Sequence, residues 1–221
     1  MLKIVVFDGG YGGEFFADYL DEQISTIDII RVIDWRNADK ILSNPKAARL
    51  VAETALKPYL EKVDLIIFAN HLLSLTSLKF FERKYKKQKF VGMKLKHPDT
   101  FIKKNVLILT TKAVSKTINY YNFLFQIKKR TKTLNLDSWP LKIDDGELTE
   151  DEIRVTIIKF LEKEKFNPEE VILACSQFND IKPALKKIFG KTIPIYDSYD
   201  EAIIEACKTL KIRGRLGKRQ K

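Results

Sequence analysis

The stretch Val171-Ile-Leu-Ala-Cys-Ser-Gln-Phe-Asn179 decides the predicted fold, because an apolar run ends there on a polar segment that carries a thiol. Residues 171–173 predict a buried parallel strand, and the helical spacing of apolar residues over 180–189 predicts a helix. Cys175 therefore lies where a strand turns into a helix. Ligands of open α/β sheets bind beside the carboxyl ends of the strands, and amides at a helix start favour a thiolate. A cysteine in this place can also be a plain core residue.

A second part of the chain repeats this pattern. Residues 64–70, Asp-Leu-Ile-Ile-Phe-Ala-Asn, correspond to residues 170–176, Glu-Val-Ile-Leu-Ala-Cys-Ser, so that Ala69 stands where Cys175 stands. Residues 4–8 likewise resemble residues 106–111, since each apolar run leads into a polar turn. We therefore interpret the chain as two similar halves, each with polar loops after its strands, that share one site.

The alternation of strand and helix patterns predicts an α/β protein with mainly parallel sheets. We assign residues 1–95 together with 191–212 to a first domain, residues 96–190 to a second domain and residues 213–221 to a disordered basic tail. The segment 96–99, Lys-His-Pro-Asp, is the expected crossing between the halves.

Composition excludes several classes of protein. No apolar run approaches the roughly 20 residues of a membrane-spanning helix, and the first residues lack a secretory signal pattern. Two cysteines, Cys175 and Cys207, and two histidines, His71 and His97, lack the spacing of a disulfide framework or a zinc site. We therefore expect a cytoplasmic protein with no membrane partner and no metal.

The glycine-rich segment 8–13, Asp-Gly-Gly-Tyr-Gly-Gly, does not predict a nucleotide site. It has no Gly-Lys-Ser/Thr ending, and Phe15 stands where the last glycine of a dinucleotide fingerprint would fall. No nucleotide cofactor is expected.

The net charge of +11 raises the question of a nucleic-acid partner. Five basic residues lie within the tail 213–221, which contains no acid. The clusters 83–89 and 128–132 follow helical patterns, where cations complement the helix dipole, so a solvated face is the favoured interpretation. No nucleic-acid motif is present. Binding of nucleic acid through the tail stays open as the less favoured interpretation.

Five segments carry short motifs in a fixed order along the chain: Phe7–Gly13, Ile67–His71, Thr110–Tyr120, Leu173–Phe178 and Ile195–Ser198. In that order they resemble the F-D-S-G-x-G-G, I-A-C-N-T, G-T-E-G-T-x-R-S-x-x-Y, L-G-C-T-H-Y and L-I-D-S segments of glutamate racemases. The chain thus resembles a divergent member of the aspartate/glutamate racemase superfamily. Gly9 replaces the family's serine, Ala69 its first catalytic cysteine and Gln177 its histidine.

The resemblance implies two pseudo-twofold related three-layer α/β domains with the site in the interdomain cleft and with no cofactor. Members of the family invert a Cα with two cysteines on opposite faces, one taking the proton and the other returning it. The implied catalytic residues here are Cys175 and Asp8. His71 joins them as the nearby side chain that titrates near neutrality. The implied substrate-binding residues are Gly9, Asn70, Thr111, Ser176 and Gln177.

Because Ala69 has no proton to exchange, the resemblance leaves three possible functions. The leading hypothesis is cofactor-independent proton transfer at Cα of a small amino acid or dicarboxylate by one cysteine. The first alternative is a noncatalytic homologue that binds such a ligand, or a protein or nucleic-acid partner. The second is decarboxylation of the kind run by arylmalonate decarboxylases, which keep only the second cysteine. A homodimer is left open.

Overall fold

The computed structural model describes residues 1–95, 105–127 and 130–214. The predicted crossing at residues 96–99 lies outside the described residues, as do residues 215–221 of the predicted tail. The chain divides into two compact units, Met1–Lys94 with Ser198–Lys221, and Leu95–Asp197.

The first unit is built on a parallel sheet of four strands in the order β2-β1-β3-β4. Its strands are β1 (Leu2–Asp8), β2 (Ile27–Ile33), β3 (Leu65–Phe68) and β4 (Phe90–Gly92). Its helices are α1 (Tyr11–Gln23), α2 (Ala38–Ser43), α3 (Pro45–Leu56), α4 (His71–Lys84) and α10 (Tyr199–Leu210), with a 3₁₀ turn at Trp35–Asn37.

Alternate residues of β1 pack against opposite helical layers, as a parallel strand covered on both faces requires. Ile4 and Val6 lie in a cluster with residues of α1 and α10. Val5 and Phe7 lie in a second cluster with residues of α2, α3 and α4. The first unit is therefore a three-layer α/β structure.

The second unit contains a parallel sheet of four strands in the order β6-β5-β7-β8. Its strands are β5 (Asn105–Thr110), β6 (Arg130–Asn135), β7 (Glu170–Ala174) and β8 (Ile195–Tyr196). Its helices are α5 (Lys112–Ser115), α6 (Ile118–Ile127), α7 (Trp139–Asp144), α8 (Glu150–Glu164) and α9 (Lys182–Phe189), with a 3₁₀ turn at Ser176–Asn179. Leu107, Leu109 and Leu173 pack with residues of α7, α8 and α9.

The predicted two-domain α/β fold with mainly parallel sheets is confirmed. The two sheets share one strand order, in which β1 corresponds to β5 and β3 to β7. This agrees with the duplication seen in the sequence.

The domain boundary differs from the prediction, which placed residues 191–197 in the first domain. The backbone of β8 pairs with β7, Ile195 standing opposite Val171, and the Val171 amide donates to the Pro194 carbonyl across 3.0 Å. This pairing adds the last strand to the second sheet, and the chain returns to the first unit at Ser198.

Three short helices, α2, α5 and α7, were not predicted from the sequence. They have only four to six residues, too few for a helical period to stand out from a loop. Pro140 lies in the first turn of α7, where proline costs no helical hydrogen bond. The Trp139 ring then packs edge-on against Phe178 at 6.2 Å between ring centroids, so that α7 covers the segment after Cys175.

Candidate active site

Polar residues of the first unit gather at the carboxyl ends of the paired strands β1 and β3. Asp8 ends β1, and Ala69 and Asn70 follow β3 directly. The Ala69 amide donates to the Phe7 carbonyl across 2.9 Å, which continues the pairing of these strands by one residue. This is the edge of a parallel sheet at which ligands bind.

Asp8 and Asn70 form the central hydrogen bond of this edge. Asp8 Oδ1 accepts from Asn70 Nδ2 at 3.0 Å and from the Gly9 amide at 2.6 Å, and the side chains are buried. Asn70 Oδ1 in turn accepts from the Leu73 amide at 2.9 Å, so Asn70 also caps α4. One side chain thus fixes both the start of a helix and the position of a buried carboxylate.

Two glycines allow close packing at the end of β1, Gly13 between α1 and Asp8 and Gly9 against Ile41 of α2. A Cβ at Gly13 would lie 2.5 Å from Asp8 Cβ and 2.7 Å from Ile33 Cδ1, which no side chain tolerates. A Cβ at Gly9 would lie 3.0 to 3.2 Å from three atoms of Ile41. Ile41 therefore takes up part of the space that a serine side chain would need at position 9.

His71 is the first residue of α4 and is buried. Its Nε2 lies 2.9 Å from the Ser198 hydroxyl, and that hydroxyl also contacts Met93 Sδ at 3.2 Å. These contacts hold the imidazole against the residue that precedes α10.

In the second unit Cys175 follows β7 and precedes the 3₁₀ turn Ser176–Asn179. Its thiol donates to Gln177 Oε1 at 3.1 Å, and the Ser176 hydroxyl donates to the same oxygen at 3.1 Å. Cys175 keeps 5% of its surface exposed and packs in the apolar cluster of this unit, whereas Gln177 is fully buried.

The amide nitrogen of Gln177 has no hydrogen-bond partner within the described ranges 1–95, 105–127 and 130–214. A buried amide donor without a hydrogen-bond partner carries a desolvation cost, so the unsatisfied Gln177 nitrogen lowers the stability of the folded protein. Sequence comparison identifies Gln177 only as a replaced histidine; the unpaired nitrogen is visible only in the structure.

Thr110 and Thr111 lie at the end of β5, the strand that corresponds to β1. The Thr110 hydroxyl donates to the Ala174 carbonyl at 3.3 Å, and Thr111 caps α5 by accepting from the Val114 amide at 3.4 Å. Thr111 and Cys175 therefore follow adjacent paired strands of one sheet.

The structure places the sequence-predicted site residues in two groups, one for each unit. Asp8, Gly9 and Asn70 come together at the ends of β1 and β3, with His71 next along the chain against Ser198. The second group consists of Thr111, Cys175, Ser176 and Gln177. Ser198 was not among the predicted site residues. Its position after Asp197, between a predicted strand and a predicted helix, is the sequence signal that could have identified it.

The two cysteines have different surroundings. Cys207 lies half-buried on α10, and burial raises the pKa of its thiol.

In the described part of the chain no three His, Cys, Asp or Glu side chains form a group that could hold a metal ion. None of the described helices is long and apolar enough to cross a membrane.

A scan against known protein families finds no match, and neither does a search among curated proteins. Solved structures do match. Glutamate racemase from Escherichia coli, in complex with L-glutamate and the activator UDP-MurNAc-Ala, superposes with a TM-score of 0.81 at 16% identity, covering 96% of this chain and 84% of that one. The chain has the glutamate racemase fold.

Two further structures extend this likeness to both branches of racemases. Glutamate racemase from Campylobacter jejuni gives a TM-score of 0.75 at 22% identity and covers 97% of this chain and 88% of its own. Aspartate racemase from Picrophilus torridus gives 0.63 at 18% identity, covering 99% and 97%. The glutamate racemase fold thus extends over nearly the whole chain.

Proposed function

We propose that the chain binds a small amino acid or dicarboxylate and that the Cys175 thiol transfers a proton at its Cα without a cofactor. The observation that carries this proposal is the position of Cys175, directly after the third strand of its sheet with its thiol donating to Gln177 Oε1. A hydrogen bond that the thiol donates stabilises the protonated side chain. Cys175 is therefore suited to give a proton to a carbanion.

In the proposed proton transfer one side chain serves as both acid and base, because the Cys175 thiol gives the proton and the Cys175 thiolate takes it. When the S–H bond breaks, the electron pair of the carbanion forms the new Cα–H bond and a thiolate remains. In the reverse direction the thiolate takes the Cα proton and restores the thiol. Gln177 Oε1 favours the thiol, and rotation of its amide would bring Nε2 to donate to the thiolate.

Inversion of Cα would require a second proton carrier on the opposite face. Ala69, which follows β3 as Cys175 follows β7, has no group that ionises. We therefore expect exchange with retention of configuration. This arrangement gives Cys175 the catalytic role and leaves His71, bonded to Ser198, as a residue that orients the start of α4.

The polar groups around the strand ends suit an amino acid or a dicarboxylate. In the second unit the Thr111 hydroxyl can donate to a carboxylate of the ligand. In the first unit the carboxylate of Asp8 lies at the end of β1. Asn70, which caps α4 and donates to Asp8, holds that carboxylate in place. The Gly9 backbone amide also donates to Asp8 Oδ1.

The test is isotope exchange at Cα in heavy water. The L and D forms of glutamate and aspartate are incubated with the protein, and deuterium incorporation and configuration are followed separately by mass spectrometry and chiral chromatography. We expect incorporation without inversion. Cys175→Ala should abolish it, and Cys207→Ala, which removes the other thiol, should leave it unchanged.

Three results would contradict the proposal. Incorporation that survives Cys175→Ala would remove the thiol from the mechanism, and inversion by the unaltered chain would require a second acid. Protection of Cys175 from iodoacetamide by one of these ligands without any incorporation would identify a binding protein instead of an enzyme.

A further inference from the structure

A basic concave surface lies on the first unit, on α3 and α4, and none of its lining residues belongs to a strand end. It has a volume of about 520 Å³ and is lined by Arg49, Thr76, Lys79, Phe80, Arg83 and Lys84. We call this surface the α3–α4 pocket. Four of its six lining side chains are cations.

The residues from α4 share one face of that helix. Thr76, Lys79, Phe80, Arg83 and Lys84 follow a spacing of three and four, which places them side by side along the helix. Lys79 and Arg83 are four residues apart, and like charges at this spacing repel. The arrangement therefore costs helix stability in the absence of an anion.

Complementation of the helix dipole explains only part of this charge. Arg83 and Lys84 lie in the last turn of α4, where cations are favourable. Lys79 lies further from the helix end, and Arg49 belongs to α3. The helix dipole of α4 therefore does not explain why cations from two helices lie on one surface.

Arg49 is held in a fixed orientation at this surface. Its Nε donates to Ser77 Oγ at 3.2 Å and its Nη2 donates to the Thr76 carbonyl at 3.1 Å, while the guanidinium lies 4.6 Å from the centre of the Phe80 ring. A guanidinium has five N–H groups, so donors remain after these two bonds. A preorganised guanidinium with unused donors is suited to bind phosphate.

Little acid neutralises the pocket. Lys84 pairs with Glu53, and the hydrogen bonds from Lys84 and Tyr85 hold the pKa of Glu53 below its usual value. Within the described part of the chain no acidic side chain forms an ion pair with Lys79 or Arg83, and both are exposed. Lys79 and Arg83 thus stay available to an anion, and Arg49, which also attracts Glu53, keeps unused N–H donors.

We infer that the α3–α4 pocket binds a small phosphate-bearing ligand with at least two negative charges. The concave shape and its volume lie in the range of small-ligand sites, whereas a nucleic-acid strand uses an extended basic groove. The ligand's phosphate oxygens accept from Arg49, Lys79 and Arg83, and Thr76 borders the same site. Neither Asp8 nor Cys175 lines this pocket, and the inference does not depend on the proposed activity.

The experiment is calorimetric titration of the full chain with inorganic pyrophosphate at about 0.15 M salt, where distant surface charges are screened. We expect saturable binding of one pyrophosphate. Arg83→Gln should weaken it about tenfold or more, because a charged hydrogen bond is lost. Arg49→Gln should do the same. Since Arg49 also bonds to α4, Arg83→Gln is the variant that leaves the packing untouched.

The matched control is Lys159→Gln, which removes one positive charge from an exposed position of α8 in the other unit. It should change the affinity less than twofold. Equal weakening by Lys159→Gln and Arg83→Gln would reduce the effect to net charge and overturn the inference. The inference also fails if pyrophosphate does not bind while a single-stranded oligonucleotide binds in a way that Arg83→Gln weakens, because the surface would then serve nucleic acid.

Discussion

The side-chain amide of Asn70 donates to the buried carboxylate of Asp8 across 3.0 Å, although the residues are 62 positions apart in the chain. The bond ties the end of β1 to the start of α4. It also satisfies one of the oxygens of a carboxyl group that is fully removed from solvent. The Asn70 amide therefore contributes to the stability of this edge of the first sheet, beside the Gly9 amide that donates to the same oxygen.

We expect Asn70→Ala to lower the free energy of unfolding by roughly 2 to 4 kcal/mol, because it removes both a helix cap and a donor to a buried carboxylate. Asn44→Ala is the matched control. Asn44 also caps a helix, accepting from the Lys46 and Ala47 amides, but does so at the surface. It should cost roughly 0.5 to 2 kcal/mol in the same urea titration. Equal losses in the two variants would show that the bond to Asp8 contributes nothing.

We expect Gly9→Ser to lower the free energy of unfolding by roughly 1 to 3 kcal/mol, since its Cβ would meet Ile41 at 3.0 to 3.2 Å. Ile41→Ala removes most of the crowding atoms and is itself costly, so the informative quantity is the coupling in a double-mutant cycle. Gly9→Ser should cost less in the Ile41→Ala background than alone. Additive losses would mean that Ile41 does not limit the space at position 9.

We expect Gln177→Leu to accelerate alkylation of Cys175. The substitution keeps the side-chain volume close to that of glutamine but removes the oxygen to which the thiol donates, and loss of that bond favours the thiolate. Rates with iodoacetamide are measured against pH in a Cys207→Ala background, so that Cys175 is the thiol that reacts. Gln126→Leu, at an exposed position of α6, is the control and should leave the rate unchanged. A slower reaction in Gln177→Leu would show that the amide promotes the thiolate.

Alkaline pH should destabilise the second unit through Tyr120. Burial raises the pKa of this tyrosine to about 12, opposed by the bond between its hydroxyl and Thr133 Oγ1, which lie 2.6 Å apart. The unfolded chain releases the proton near pH 10, so stability present below pH 10 is lost as the pH rises to about 12. The loss amounts to roughly 2 to 3 kcal/mol.

The measurement is the free energy of unfolding at pH 9, 10 and 11 by chemical denaturation. Tyr120→Phe should lose part of the pH dependence of the unaltered chain, and Tyr121→Phe, at an exposed position, should keep all of it. Parallel pH dependences in Tyr120→Phe and the unaltered chain would place the ionising group elsewhere.

The sequence by itself determined the class of fold and the positions of the strand ends. Continuous apolar runs such as residues 65–68 and 171–173 mark strands buried on both faces, and the polar residues that follow mark the turns where a site forms. Both signals are local, so Asp8, Asn70 and Cys175 could be placed at strand ends without coordinates. The repeat of residues 64–70 at 170–176 likewise predicted two similar halves, which the shared strand order confirms.

Only the tertiary structure decided which side chains meet. Ile41 approaches Gly9, His71 meets Ser198 127 positions away, and β8 joins the second sheet through its pairing with β7. The cations of the α3–α4 pocket come from two helices and converge only when those helices pack. Hydrophobic periodicity records which face of an element is buried, but not which distant segment covers it. Contacts between distant segments depend on the packing of whole layers, and the structure is therefore needed to find them.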